Sequence, residues 1–200
     1  NFADTISGTD LIVGARTGPV QLLLYSVFRI GQATNNIRWS SLQAIERDRM
    51  VDWVVPISLG DSHRGFPVVG TSAAYFERFR YGDRQALELA EGRAFAGVLE
   101  AVIGSEVARR LRYRPGERIV LRHGGGELAS ADHADKPFTV VGVLAPTGTP
   151  VDRSVHISLA GMEALHLDWL AGVPLPGKSI PASEVERHDL TPKAVTAALV

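Results

Sequence analysis

The sequence contains no cysteine, which excludes disulfide bonds and thiolate metal ligands from its 200 residues. It also lacks an excess of either charge, since 21 basic and 22 acidic residues leave a formal net charge of −1. A surface that binds nucleic acid or an anionic membrane normally carries a clear surplus of Lys and Arg. We therefore expect no nucleic-acid partner.

Long apolar runs are missing as well. The stretch at residues 22–28 falls far short of the roughly 20 apolar residues that a helix needs to span a bilayer. The chain opens on Asn1 and shows no signal peptide, so we interpret it as a piece of a longer protein. Its composition, 45% hydrophobic and 22% charged, is typical of a folded domain that buries a core.

Short strand and helix patterns are interspersed along the chain. Strands are predicted at residues 10–14, 51–59, 65–71, 99–103, 118–122, 138–144, 154–158 and 193–200. Helices are predicted after Ser40 or Ser41 and at residues 73–79, 106–111 and 159–170. Residues 19–29 are compatible with a helix or a buried strand. The mixture, which includes several hairpins, predicts an α+β fold.

The Gly-Asp-Ser at residues 60–62 raises the question of a catalytic serine. It follows a predicted strand, as the nucleophile does in serine hydrolases of the GDSL type. Those enzymes also need an asparagine-bearing block and a late Asp-x-x-His to supply the oxyanion hole and the general base. No asparagine lies in such a block, and His156 follows Asp152 by four residues instead of three. We predict that Ser62 is a turn residue and that the protein is not an enzyme.

Three histidines indicate a candidate metal site. His123 and His133 flank the loop at residues 124–131, and His156 lies on a later predicted strand. If the strands on either side of the loop are neighbours, His123 and His133 fall at the same end of the sheet. Imidazole nitrogens suit Zn²⁺, although this spacing is not a recognised ligand signature. One interpretation is a zinc site at His123, His133 and His156; the other is a polar, exposed hairpin tip.

Four stretches of the sequence together resemble one known family. EAVIGSEVARRLRYRPGERIVL, at residues 100–121, combines a strand, a helix, a Pro-Gly turn and a second strand. FTVVGVLAPTGTPVDRSVHISLAGMEAL follows at residues 138–165, while GTDLIVGA and FPVVGTSAAYFERF precede it at residues 8–15 and 66–79. In this order the four stretches are similar to the periplasmic core domain of MacB/FtsX-like ABC transporter permeases.

The resemblance implies a fold and a role. The fold would be a two-lobed α+β domain, with a porter-like lobe at residues 1–80 and 172–200 and an inserted lobe at residues 81–171. The domain would be the large loop between the first two membrane helices, on the periplasmic side of the bacterial inner membrane. The permease would form a homodimer and pair with a cytoplasmic ATPase subunit, with a periplasmic protein as a further partner. The domain would couple ATP-driven helix movement to substrate or partner handling, without catalytic residues.

Two segments depart from the macrolide-exporting member of the family. They are the histidine-bearing loop at residues 123–133 and TGTPVDRSVH at residues 147–156. Both are similar to a subgroup linked to zinc-responsive transport, which supports the zinc interpretation. The resemblance requires no cofactor, and zinc is the one that the sequence suggests. A free periplasmic zinc-binding protein is the alternative function.

Overall fold

The computed structural model describes residues 2–31, 33, 35–123, 135–170, 173–174 and 180–200. Its strands are β1 Ile12–Gly14, β2 Ile37–Arg38, β3 Val55–His63, β4 Phe66–Thr71, β5 Arg80–Tyr81, β6 Gln85–Ala86, β7 Leu89–Gly92, β8 Glu100–Ile103, β9 Arg118–Ile119, β10 Arg122–His123, β11 Phe138–Leu144, β12 Val155–Ser158, β13 Trp169–Leu170, β14 Val173–Pro174, β15 Ala194–Val195 and β16 Ala197–Leu199. Its α-helices are α1 Phe2–Thr5, α2 Pro19–Ser26, α3 Trp39–Glu46, α4 Ala74–Arg78, α5 Ser105–Leu111 and α6 Leu159–Leu165. Two 3₁₀ helices span Pro150–Arg153 and Ala182–Arg187.

One mixed sheet dominates the described part of the chain. Its ten strands include the path β1-β16-β3-β4-β12-β8-β11-β7, while β10 pairs with β3 and β9 with β11. The pairs β4–β12 and β8–β11 are parallel, and the other pairs are antiparallel. Mixed pairing with interspersed helices confirms the predicted α+β class.

The central strands are covered on both faces, because their side chains alternate between two buried clusters. On β8, Ala101 and Ile103 join the cluster that contains Phe138, whereas Val102 joins the cluster that contains Tyr75. Since successive residues of a strand point to opposite faces, this alternation places one cluster on each side of the sheet. Nearly continuous apolar runs in these strands are what such burial requires.

The main sheet includes strands from both predicted lobes. β4 belongs to the predicted porter-like lobe and β12 to the predicted inserted lobe, yet they pair with Val68 opposite Val155. The division into two lobes at residues 80 and 171 stays a prediction, since the strand pairing neither supports nor excludes these boundaries. No described helix is long and apolar enough to cross a membrane.

The β3–β4 hairpin corrects the prediction that residues 60–64 form the turn. β3 continues to His63, and the turn is Arg64–Gly65, whose positive φ angles of 48° and 82° are typical of a two-residue hairpin. Ser62 pairs with Pro67 inside the sheet, so its assignment to a turn was wrong. The register shifts between Leu59 and Ser62, which places a β-bulge there.

The last helix is shorter than predicted. α6 begins after the Ser158 side chain, which accepts a hydrogen bond from the Gly161 amide, and it ends at Leu165. The predicted second half of the helix is wrong, because β13 begins at Trp169. This early end leaves His166 at the C-terminal cap of α6.

Candidate functional site

The bulge in β3 positions a buried carboxylate. Gly60 adopts a φ of 151°, which L-residues rarely do, and it allows the extra residue to enter the strand. Asp61 follows with its side chain 0% exposed. His123 of β10 pairs directly opposite Asp61, and its Nδ1 lies 3.2 Å from Asp61 Oδ1. The sheet itself therefore brings this carboxylate and this imidazole together.

His166 completes a group of three from the end of α6. Its Nδ1 lies 2.9 Å from the Met162 carbonyl oxygen, which can only accept, so Nδ1 carries a proton and donates it. The opposite nitrogen, Nε2, lies 3.2 Å from His123 Nδ1 and 3.6 Å from Asp61 Oδ1. We refer to Asp61, His123 and His166 as the Asp-His-His cluster.

The electrostatics of the cluster follow from the buried carboxylate. Burial alone would lower the pKa of His166, because it disfavours the charged imidazolium. The hydrogen bond and negative charge of Asp61, together with the Met162 carbonyl and Glu163, outweigh burial and raise the pKa of His166 above its ordinary value. The negative charge of Asp61 therefore favours the protonated form of His166.

A buried ion pair holds the chain that follows His166. The Nζ of Lys136, a side chain that is 0% exposed, lies 2.8 Å from both carboxylate oxygens of Asp168. Asp168 Oδ2 also accepts from the Ile180 amide at 3.0 Å. Burial opposes ionisation of Asp168, but the hydrogen bonds from Lys136 and the Ile180 amide, together with the positive charge of Lys136, outweigh burial and lower the pKa of Asp168. These contacts fix the position of His166 relative to the sheet.

A cavity of about 390 Å³ lies beside the bulge. Arg29, Leu59, Asp61, Pro67 and Val68 contribute to its wall. Asp61 therefore belongs both to the Asp-His-His cluster and to the lining of a cavity that is large enough for a small molecule.

The neighbouring His63 does not act as a base for Ser62. Its Nδ1 donates to the Val120 carbonyl at 2.7 Å, and its Nε2 lies 3.1 Å from the Tyr113 hydroxyl. Both ring nitrogens are thus engaged in structural contacts, and burial lowers the pKa of His63. His63 is therefore not positioned as the general base of a serine–histidine pair with Ser62.

The three histidines predicted as zinc ligands have different positions. His123 belongs to the cluster, whereas His156 is 0% exposed and packs against the rings of Tyr75 and Phe76, at centroid distances of 5.1 and 6.1 Å. Its pKa is lowered to about 3, mainly by burial. His133 lies outside the described residues. Within the described part, the structure groups His123 with Asp61 and His166 and not with His156.

Sequence reasoning missed Asp61 and His166. Asp61 is separated from His123 by 62 residues and His166 by 43, so no local spacing indicates their proximity. The usable signal was the Gly60-Asp61 pair, which favours a bulge as well as a turn. Only the register of β3 against β4 decides between the two.

The fold is an α+β domain built on one mixed sheet, and a comparison with known protein families assigns it to one of them. Residues 1–183 match the family model described as the MacB-like periplasmic core domain. The chain belongs to this family, which confirms the resemblance drawn from the four stretches of sequence. No curated protein sequence matches the chain.

Two solved structures are similar to the chain. The periplasmic region of MacB from Actinobacillus actinomycetemcomitans gives a TM-score of 0.51 at 12% identity, over 97% of this chain and 74% of that chain. The extracellular domain of the noncanonic ABC-type transporter YknZ from Gram-positive bacteria gives a TM-score of 0.43 at 14% identity, over 82% of this chain and 71% of that chain. At 12% identity the likeness to the MacB region concerns the fold alone.

Proposed function

We propose that the chain is the extracytoplasmic domain of an ABC transporter permease and that it couples ATP-driven movement of membrane helices to substrate or partner handling. The family match over residues 1–183 carries the proposal. The permease would work as a homodimer with a cytoplasmic ATPase subunit in the bacterial inner membrane, and would dock a periplasmic protein. The domain's contribution would be mechanical, with no catalytic group.

The pairing of the first and last strands supports a mechanical role. β1 pairs antiparallel with β16, and the backbones of Leu11 and Val200 exchange hydrogen bonds of 3.0 and 2.9 Å. β16 also pairs with the nine-residue strand β3. A movement applied to the segments joined to β1 and β16 would therefore enter the same side of the main sheet.

The interior at this side of the sheet is suited to transmit such a movement. Ala197, Ala198 and Leu199 are at most 1% exposed, and Val55 and Ile57 of β3 are fully buried. Closely packed interiors have low compressibility and pass on strain. From β3, a displacement would reach β4 and, through the parallel pair, β12.

The following test distinguishes a domain that transmits force from one that is only present in the transporter complex. The complete permease is reconstituted with its ATPase subunit, and a flexible Gly/Ser linker of about ten residues is inserted where each flanking segment joins the domain. We expect loss of transport with retained ATPase assembly, because a flexible linker cannot pass on force. The matched control carries the same linker in the exposed turn at residues 47–50, between α3 and β3, and should transport normally. Unchanged transport with both linkers would contradict mechanical coupling.

The alternative, a free periplasmic zinc-binding protein, makes a different prediction. The product of the complete gene would then leave the membrane fraction on an alkaline wash and would copurify with no ATPase subunit. A permease stays in the membrane under that wash, because spanning helices are held by the hydrophobic effect. Fractionation of expressing cells therefore decides between the two functions before any transport assay.

A further inference from the structure

We propose that Asp61, His123 and His166 form a binding site for a divalent transition-metal ion of the Zn²⁺ type. The site differs from the ligand set that sequence spacing suggests, since it includes neither His156 nor His133. It is also independent of mechanical coupling, because it is defined by three side chains inside the domain.

The separations of the three candidate ligand atoms match a tetrahedral metal site. His123 Nδ1 is 3.2 Å from Asp61 Oδ1 and 3.2 Å from His166 Nε2, and the remaining distance, from His166 Nε2 to Asp61 Oδ1, is 3.6 Å. Tetrahedral Zn²⁺ with bonds of about 2.0–2.1 Å separates its ligand atoms by about 3.3 Å. One ion can therefore contact all three atoms with little rearrangement of the backbone.

The imidazole of His166 presents the correct nitrogen. Its Nδ1 donates to the Met162 carbonyl at 2.9 Å, so in the neutral ring the lone pair is on Nε2, which faces the cluster. A backbone carbonyl that fixes the tautomer and orientation of a histidine is the usual outer partner of a metal ligand. The Asp61 carboxylate supplies the negative charge that a buried cation requires.

The cluster combines rigid attachment with access from solvent. Asp61 and His123 are opposite each other on paired strands, and the Lys136–Asp168 ion pair holds the chain just after His166. The side chains of His123 and His166 are 41% and 30% exposed, so an ion can enter and a water molecule can complete its coordination. Three protein ligands with one open position are typical of accessible zinc sites.

The donor set also defines the class of ion. Two imidazole nitrogens and one carboxylate oxygen suit Zn²⁺ and its first-row neighbours, whereas Mg²⁺ and Ca²⁺ prefer oxygen ligands alone. Without a metal, the same three groups can form an ordinary hydrogen-bonded cluster. Direct binding measurements distinguish the two possibilities.

The first experiment is a titration of the chelator-stripped chain with Zn²⁺ at neutral pH, followed by calorimetry. We expect one ion per chain at micromolar affinity or tighter, and no comparable binding of Mg²⁺. Asp61→Asn, His123→Ala and His166→Ala should each weaken binding by about 100-fold or more, since loss of an outer partner alone costs 10–100-fold. His188→Ala, at an exposed histidine, is the matched control and should bind normally.

A spectroscopic readout identifies the ligand atoms without relying on the folding of the variants. With Zn²⁺ bound, nitrogen NMR of the wild-type chain should show His123 coordinated through Nδ1 and His166 through Nε2, with the His166 Nδ1 proton retained. The Co²⁺ form should show the intense visible absorption of a tetrahedral site.

Three results would overturn the proposal. The first is the absence of Zn²⁺ binding by the wild-type chain, which would make the cluster a hydrogen-bonded one. The second is binding that persists in both Asp61→Asn and His166→Ala. The third is binding that depends on His133 but not on His166, tested with His133→Ala, which would favour the ligand set suggested by sequence. None of these results bears on mechanical coupling, which is tested in the reconstituted permease.

Discussion

Acidification should destabilise the domain through one buried histidine. His156 is 0% exposed at the centre of β12, and its Nδ1 lies 3.2 Å from the Val102 carbonyl oxygen. Within the described residues, its Nε2 has no hydrogen-bond partner. Burial and then the positive charge of Arg29 lower the pKa of His156 to about 3. The folded domain therefore holds this imidazole in its neutral form.

The sign and size of the effect follow from proton linkage. In the unfolded chain His156 has the ordinary histidine pKa of about 6.5 and takes up a proton as the pH falls, while the folded chain does not. The stability that the neutral ring contributes is complete above about pH 6.5 and is lost progressively towards pH 3. Between pH 7.5 and 5 the loss is about 2 kcal/mol, at about 1.36 kcal/mol per pH unit below the unfolded pKa. This is a large share of the 5–15 kcal/mol typical of a domain.

The assay compares the pH dependence of two proteins. Urea unfolding at pH 7.5, 6 and 5 gives the free energy of unfolding of the wild-type chain and of His156→Gln, which keeps a neutral donor for the Val102 carbonyl. The contributions of His63 and His166 to the pH dependence of stability are the same in both proteins and cancel in the comparison. We expect the wild-type chain to lose about 2 kcal/mol more than His156→Gln between pH 7.5 and 5. Equal losses of unfolding free energy in the two proteins would refute the reasoning. As a control, His188→Gln, at an exposed histidine, should show the same pH dependence as the wild type.

Two further predictions concern ion pairs. Lys136→Met should lower the free energy of unfolding by about 3–5 kcal/mol, because it leaves the Asp168 carboxylate buried without its cation. Adding Asp168→Asn, which removes the charge and keeps an acceptor for the Ile180 amide, should restore most of the loss in urea unfolding. Glu100 is held at a pKa of about 2, first by its hydrogen bond from Arg93, so its stabilising effect is complete above about pH 4.5 and is lost as the pH falls towards 2. Thermal unfolding of Glu100→Gln should therefore show a weaker decline in stability over that interval.

Each ion-pair prediction has a result that contradicts it. If Lys136→Met alone were as stable as the wild type, the buried carboxylate would have another source of compensation. If the Glu100→Gln and wild-type curves ran parallel below pH 4.5, the contacts of Glu100 with Arg93 and with the amides of Ala96 and Gly97 would not favour its ionised form.

The local signals in the sequence were sufficient for the class of fold and for most strands. Runs such as residues 138–144, rich in valine and closed by turn residues, form strands wherever the pairing partner lies. The Pro at residue 19 fits the first position of α2, but the apolar stretch after it is equally typical of a buried strand. In the structure this segment is the helix α2 and packs against β1, a contact that no local pattern in the sequence encodes.

The candidate site was beyond local reasoning for three physical reasons. Gly60 and Asp61 have the same preferences in a bulge as in a turn, and the strand pairing selects the bulge. α6 ends early where Asp168, which helical periodicity would include, binds Lys136. His156 occupies an alternate position that would face water in a one-sided sheet, but here both faces are covered.

The pairing of β1 with β16 makes the domain modular. Because Ile12 lies opposite Leu199, the start of β1 and the end of β16 are separated only by the spacing of adjacent strands. Inserting such a unit adds a folded body without forcing apart the host segments on either side of it. The same closure makes the domain suited to circular permutation, with new ends opened at an exposed turn such as Asp83–Arg84.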